Sequence, residues 1–420
     1  MYANVIVDIS HEKLDKTFQY SIPDEILCDI RPGVCVDIPF GSRTITGYVI
    51  EVTDKPEYDP ARTKPLIGIK ADSVAVEAKL IALAAWIRRN YGSTMNQALK
   101  TVLPVKKRVK ARNKKIVETV AGMTALPGEG LEQAKAKPEG SPEAAWKEAA
   151  EPAGDGSAIF LNSEQQSITD AFITSYDSGD RAPCLIHGVT GSGKTEVYMA
   201  LIDHVLQQGK QVIVLIPEIA LTYQTVSRFY SRFGRRICVM HSRLSAGEKC
   251  DQFERARNGE TDIMIGARSA LFTPFPNLGL IIIDEEQEHT YQSENAPRYH
   301  AREVAIYRGA QEHALTVLGS ATPTVESMYR AVTGAFGLCR MTERYNGRPL
   351  PPVEIVDMKR ELREGNASII SEPLLLALRE NLRLGQQSIL YLNRRGTSRM
   401  LACVECGSVP MCPGCSLSLT

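Results

Sequence analysis

The run GVTGSGKT, Gly188 to Thr195, constrains this chain more than any other stretch. It fits the spacing G-x-x-x-x-G-K-[S/T], and its flanks fit as well. PCLIH before it is apolar like a buried strand, and TEVYMALIDHVLQQG after it has helical spacing and stops at Gly209. A strand, a glycine loop and a helix in that order form a phosphate cradle. Gly188, Gly191, Ser192 and Gly193 let backbone N–H groups turn inward around the phosphates. The helix N-terminus adds partial positive charge. Lys194 is expected to reach the β- and γ-phosphates and Thr195 to hold Mg²⁺, so the expected ligands are ATP and Mg²⁺.

Such a loop belongs to a parallel α/β sheet, and residues 158–345 read that way. QVIVLIP, RRICVMH, DIMIG, LGLIIIDE and ALTVLGS are apolar throughout and alternate with helical stretches. Strands of that kind are covered on both faces. SAGEKCDQFERARNG opens with Ser245 and Glu248 at capping-box spacing and closes at Gly259. LIIIDEEQEHT delivers Asp284 and Glu285 at a strand's C-terminal end, the edge where open parallel sheets bind ligands. Two adjacent carboxylates would equally suit a solvated loop or a helix N-terminus. Beside a phosphate loop, Asp284 is expected to hold Mg²⁺ and Glu285 to orient or deprotonate an attacking water. In LGSATPT, Ser320 to Thr322 are placed to sense the γ-phosphate.

Residues 1–104 read as a small β-rich domain, with ANVIVDI, VCVDIPF and TGYVIEV as strands and AVEAKLIALAAWIRRNYG as a helix ending at Gly92. Residues 105–157 read as a linker. KKRVKARNKK is either a salt-sensitive phosphate contact or a solvated tether, and the Ala-, Pro-, Glu- and Gly-rich stretch after it has little to bury. Residues 346–402 start another α/β unit, with PVEIVDM as a strand, SEPLLLALRENLRLG as a helix and SILYLN as a strand. The zero net charge argues against a uniformly basic nucleic-acid coat, although a local patch fits inside it. MYANVIVDIS carries no signal-peptide pattern and LIALAAWI is too short to span a bilayer, so the expected place is the cytoplasm, with no membrane partner. There the ten cysteines are reduced or bind metal. Four of them, Cys403, Cys406, Cys412 and Cys415 in residues 403–420, form two close Cys-x-x-Cys pairs. One closed zinc site is arithmetically possible, but the spacing between the pairs is shorter than in common zinc ribbons.

LIPEIALT (215–222), IGARSALFTPF (265–275), DEEQEHTY (284–291), GSATPT (319–324) and YLNRRG (391–396) follow the order of superfamily-two helicases. The D-E-E-Q form, the R-S-A-L-F segment and a Cys-x-x-Cys cluster just after YLNRRG resemble one family, the bacterial replication-restart helicases PriA (primosomal protein N′). The resemblance covers residues 1–104 and 158–420. It implies a RecA-like motor lobe and an ATP-dependent 3′→5′ DNA helicase that recognises stalled replication forks and initiates primosome assembly. The implied partners are forked and single-stranded DNA, nascent 3′ ends, single-strand-binding protein, primosome proteins and the replicative helicase loader, in the nucleoid.

Residue by residue, the resemblance places Gln165 at the adenine edge, and Glu218 and Arg268 facing the lobe cleft and the DNA strand. A guanidinium is a good bidentate phosphate ligand. Phe18, Gly41 and Lys64 fall on the pocket that grips a 3′ end, where an aromatic face stacks on a base and a lysine meets phosphate. Gln19 stands where some members carry an acidic residue, so it can accept from the terminal hydroxyl only without charge assistance. Where the family has a winged-helix module, residues 105–157 read as a linker or a reduced winged-helix region, too polar and aperiodic for a well-packed one. For the cysteines the resemblance implies an eight-cysteine insertion holding two zinc ions, with each pair here half of a different site. The chain therefore reads as a C-terminally truncated helicase that stops before the arginine finger. A poor ATPase with little zinc is the expectation. The competing readings are another superfamily-two translocase and a non-catalytic ATP- and DNA-binding module.

Overall fold

The computed structural model describes residues 1–9, 15–70, 78–103, 161–344 apart from 219, 222 and 243, then 347 and 351–391. The linker 105–157 and the four clustered cysteines lie outside the described residues.

The first domain is a five-stranded antiparallel sheet of β1 (Tyr2–Val7), β2 (Thr17–Ser21), β3 (Cys35–Phe40), β4 (Arg43–Thr53) and β5 (Gly68–Ile69), in the order β2-β1-β4-β3-β5. Its inner face is apolar, with Ala3, Val5, Val36, Ile38 and Val49 fully buried. β2 was not read as a strand from sequence. Helix α1 (Ala78–Tyr91) is the expected helix, and a short α2 (Met95–Val102) follows, begun by a Thr94–Gln97 capping box.

The next domain is the parallel lobe. Its elements are α3 (Ser163–Asp177), β6 (Cys184–Gly188), α4 (Lys194–Gln207), β7 (Gln211–Leu215), α5 (Tyr223–Phe233), β8 (Ile237–Met240), α6 (Ala246–Arg257), β9 (Ile263–Gly266), β10 (Leu278–Ile283), α7 (Ala301–Glu312), β11 (Leu315–Ser320), α8 (Val325–Val332) and β12 (Gly337–Met341). The strand order is β12-β6-β11-β10-β7-β9-β8, and every pairing is parallel. All the strands expected here form, because side chains on both faces of β7, β9, β10 and β11 are buried. The Ser245–Glu248 box caps α6 as expected. β11 lies between β6 and β10, so the ends of the glycine-loop strand, the Ser320 strand and the Asp284 strand share one edge.

The two domains meet along α1 and α7. Trp86 stacks on Tyr307 with ring centroids 4.5 Å apart and 15° between planes. Lys79 pairs with Glu312 at 3.0 Å, and the His300 N–H donates to the Tyr91 hydroxyl at 3.4 Å. Arg308 on α7 is buried, pairs with Glu312 at 2.6 Å, and donates to the carbonyls of Leu271 in the R-S-A-L-F segment and of Thr273 just after it.

Residues 349–420 form a separate compact unit. In it, α9 (Met358–Arg363) and α10 (Glu372–Arg383, capped by Ser371) are helical, the latter as expected. The strands expected from PVEIVDM and SILYLN are absent over 351–357 and 388–391. Ile355 and Ile389 are 92% and 95% exposed. A strand exists only against a neighbour that takes its N–H and C=O groups, and the described residues of this unit offer none.

A candidate nucleotide site at the sheet edge

The glycine loop leaves β6 at Gly188 and enters α4 at Lys194. Gly193 caps α4 in the left-handed region, φ 82°, and a Cβ there would lie 2.3 Å from Gln165 Nε2. A Cβ on Gly188 would lie 2.6 Å from Ser192 Oγ. Position 193 therefore needs glycine for space as well as shape, and position 188 for space. Lys194 is 9% exposed and its Nζ donates to the Gly188 carbonyl at 3.0 Å, folding the ammonium over the loop. Ser192 Oγ is buried without a hydrogen-bond partner among the described residues. An ammonium bonded to one carbonyl and an orphaned hydroxyl suit a polyphosphate that supplies the missing acceptors.

Gln165 sits behind the loop and is fully buried. Its Oε1 accepts from the Asn162 N–H at 2.9 Å, completing the α3 capping box, and its Nε2 donates to the Ser192 carbonyl at 2.9 Å. Its amide thus ties α3 to the phosphate loop, with one N–H and one lone pair left for any other contact.

Asp284 and Glu285 follow β10, across β11 from the loop. Asp284 Oδ1 accepts from the Tyr198 hydroxyl at 3.1 Å. Burial, then the charge of Glu285, raises its pKa to about 6, against the pull of Tyr198 and Lys194. A carboxylate held that far above its usual range is short of a cation. The Thr195 hydroxyl and the Asp284 carboxylate are the hard oxygen donors that Mg²⁺ takes, so these residues fit the metal. Glu285 holds φ 49°, a conformation rare for a residue with a side chain. A relay runs from it. Gln287 donates to Glu285 at 2.8 Å, Ser320 Oγ donates to Gln287 at 2.5 Å, and the Thr322 N–H donates to Ser320 Oγ at 2.9 Å. Lys194, Thr195, Asp284, Glu285, Ser320 and Thr322 are therefore gathered at one edge.

Two features escaped the sequence reading. Tyr198, one helical turn beyond Lys194, reaches Asp284. Glu286 is fully buried and accepts from Arg302 at 3.1 Å, the Thr324 N–H at 2.7 Å and Ser327 Oγ at 2.9 Å. Arg302 continues to Glu303 and thence Arg330, at 3.0 and 2.9 Å. A third acid after Asp284 and Glu285 was the visible signal, but nothing in the sequence named its partners.

Arg268 is partly buried. Its guanidinium donates to the carbonyls of Thr290 and Gln292 and lies 5.5 Å from the Tyr299 ring centre. Glu218 is exposed and accepts from the Ser242 N–H at 3.1 Å. In the first domain, Phe18 packs edge-to-face on Phe40 with centroids 5.3 Å apart. Gly41 turns the β3–β4 hairpin at φ 61° beside it, with open space where a side chain would stand. Lys64 is exposed, and its carbonyl accepts from the Ser21 N–H at 3.0 Å, next to β2. Gln19 points elsewhere: it is buried, donates to Asn4 and the Lys55 carbonyl, and accepts from the Glu57 N–H at 2.7 Å. Neighbouring strand residues face opposite sides, which separates Gln19 from Phe18.

Among the described residues no group of His, Cys, Asp or Glu gathers as a multidentate metal cluster. Nor is any helix there long and apolar enough to cross a membrane.

Comparison with known proteins covers both domains. Residues 4–104 match the family model of a 3'DNA-binding domain (3'BD), and residues 163–331 match that of a DEAD/DEAH box helicase. The whole chain aligns with replication restart protein PriA of Bacillus subtilis (strain 168) at 34% identity, covering 65% of that protein. It aligns with PriA of Chlamydia pneumoniae at 33% identity, covering 62%. Synechocystis PriA is 49% identical over 56% of this chain and 29% of its own length. The chain thus spans less than two thirds of the length of these relatives.

Proposed function

The chain belongs to the family of PriA replication restart proteins, and on that premise we propose that it acts as an ATP-dependent 3′→5′ DNA helicase that recognises stalled replication forks and initiates primosome assembly. One observation carries the reading. A glycine loop with its paired carboxylates and an aromatic pair beside a glycine turn occur in domains that pack on each other through α1 and α7.

In this reading Lys194 takes the β- and γ-phosphates, while Thr195 and Asp284 hold Mg²⁺. The bound metal supplies charge neutralisation at those phosphates. Glu285 orients the attacking water and accepts its proton, and its hydrogen-bonded path through Gln287 to Ser320 and Thr322 reports whether the γ-phosphate is present. Gln165 reads adenine with its remaining amide valence and would carry that contact directly to the Ser192 carbonyl. Phe18 stacks on the terminal base of a nascent strand, Gly41 leaves room for it, and Lys64 meets phosphate. Arg268, already held by two carbonyls, keeps its other N–H groups for a DNA phosphate. Single-strand-binding protein, primosome proteins, a helicase loader and the nucleoid belong to the same proposal. So do two zinc ions with Cys403, Cys406, Cys412 and Cys415 among their ligands, which metal analysis of the purified protein tests.

The main test is fork binding by fluorescence anisotropy, with a nascent strand at the junction ending in a 3′ hydroxyl or a 3′ phosphate, alongside strand separation with ATP. A preference for the hydroxyl end, and ATP-dependent separation lost in Lys194→Ala, are expected. Equal binding to both ends and separation indifferent to Lys194→Ala would remove the proposal.

A further inference from the structure

The helix that presents Lys194 and Thr195 also carries Tyr198, one turn on and 1% exposed. Its hydroxyl reaches Asp284 Oδ1 at 3.1 Å. It gets there through a space opened by a missing side chain. A Cβ on Gly319 of β11 would lie 1.6 Å from the Tyr198 oxygen and 2.8 Å from the ring carbon that bears it. Gly319 also accepts the Glu286 N–H through its carbonyl at 3.0 Å, so β11 is fixed against the backbone just past Asp284. The phenol therefore occupies a slot bounded by α4, β10 and β11.

A hydroxyl facing an ionised carboxylate can only donate to it, because the carboxylate has no proton to give. Donation to Oδ1 fixes the rotation of the carboxylate about its Cβ–Cγ bond and leaves Oδ2 to a cation. It also ties Asp284 to the helix of the phosphate loop rather than to its own strand alone.

Resting on the nucleotide-site reading above, we propose that Tyr198 is a positioning residue for Mg²⁺: it orients Asp284 toward the metal, and Gly319 is glycine to admit it. Tyr198 touches neither nucleotide nor metal and acts through Asp284.

The test measures the affinity of the full chain for N-methylanthraniloyl-ADP by fluorescence, once in EDTA and once in millimolar Mg²⁺. The ratio of the two affinities is the readout. Tyr198→Phe removes one oxygen from a buried ring, and thermal unfolding monitors its fold. The expected result is a metal-dependent tightening about tenfold smaller than in the parent, with any loss in EDTA smaller than that. Gly319→Ala is the second variant. It keeps the tyrosine but drives its hydroxyl off Asp284, and it should lose the same metal-dependent tightening. If both variants tighten with Mg²⁺ as the parent does, the proposal is wrong and the nucleotide site stands. If the parent and Lys194→Ala bind the probe alike, the nucleotide-site reading fails and takes the proposal with it.

Discussion

Replacing Asp284 by Asn should make the nucleotide-free protein more stable. The carboxylate is buried at the end of β10 beside Glu285, and its pKa stands at about 6 against an ordinary 3.8. A difference of about 2.2 units corresponds to about 3 kcal/mol between the protonation states. The sign follows from where the proton is held more tightly, which is the folded state. Below about pH 4 the group is protonated in both states and costs nothing. As pH rises from there through about 6, the unfolded chain ionises freely while the folded one is forced to carry a poorly solvated charge, and stability is lost. With these two pKa values the cost is about 1.6 kcal/mol at pH 5 and about 3 kcal/mol at pH 7.5. Asn keeps an oxygen to accept from Tyr198 and carries no charge. Urea unfolding of both proteins in EDTA, at pH 5 and pH 7.5, measures the gap. Asp284→Asn should be the more stable at pH 7.5, with a gap larger by about 1.4 kcal/mol than at pH 5. A gap that is absent, or that does not grow with pH, would refute the claim that the site stores an unpaid charge in readiness for a cation.

Glu286→Ala should destabilise the fold by about 1–3 kcal/mol, because it strands the partly buried Thr324 N–H and removes one of the two carboxylates on Arg302, leaving Glu303; urea unfolding measures this. Phe18→Ala should weaken binding to forks with a nascent 3′ end at the junction by about 1–3 kcal/mol, the usual worth of a base stacked on an aromatic ring. Forks lacking that end should be bound as before, which anisotropy on paired substrates tests. Trp86→Ala should remove the stack on Tyr307, worth about 0.5–1.5 kcal/mol beyond the area it buries. Faster proteolytic release of residues 1–103 from the lobe is the expected sign.

The parallel lobe was legible because its strands are apolar on both faces and its loop sequence admits one backbone shape. Even the Ser245–Glu248 cap is local enough to read. The first domain was partly legible: β1, β3 and β4 are long and apolar, whereas TFQYS in β2 is short and half polar and becomes a strand only by pairing with β1. The same dependence on partners, acting the other way, undid PVEIVDM and SILYLN. At the site, the residues proposed to meet phosphate and metal were readable from spacing. The side chains behind them were not. Tyr198 reaches Asp284 only because Gly319, far along the chain, lacks a Cβ. Glu286 depends on Arg302, Thr324 and Ser327 arriving from α7 and the start of α8. Gln165 was read, from the resemblance, only as an adenine contact; that its side chain closes the α3 capping box and holds the Ser192 carbonyl emerged with the structure.

Under the proposed function, the seating of α1 on α7 would have a mechanical consequence for DNA held by both domains. α7 presents Tyr307 and Glu312 to the first domain, Arg308 to the R-S-A-L-F segment and Arg302 to the residue after the paired carboxylates. On that proposal, a grip on a strand end seated through α1 and α7 would stay at a set distance from the nucleotide edge for as long as those contacts hold, so the held end and the edge would advance together or the grip would have to open.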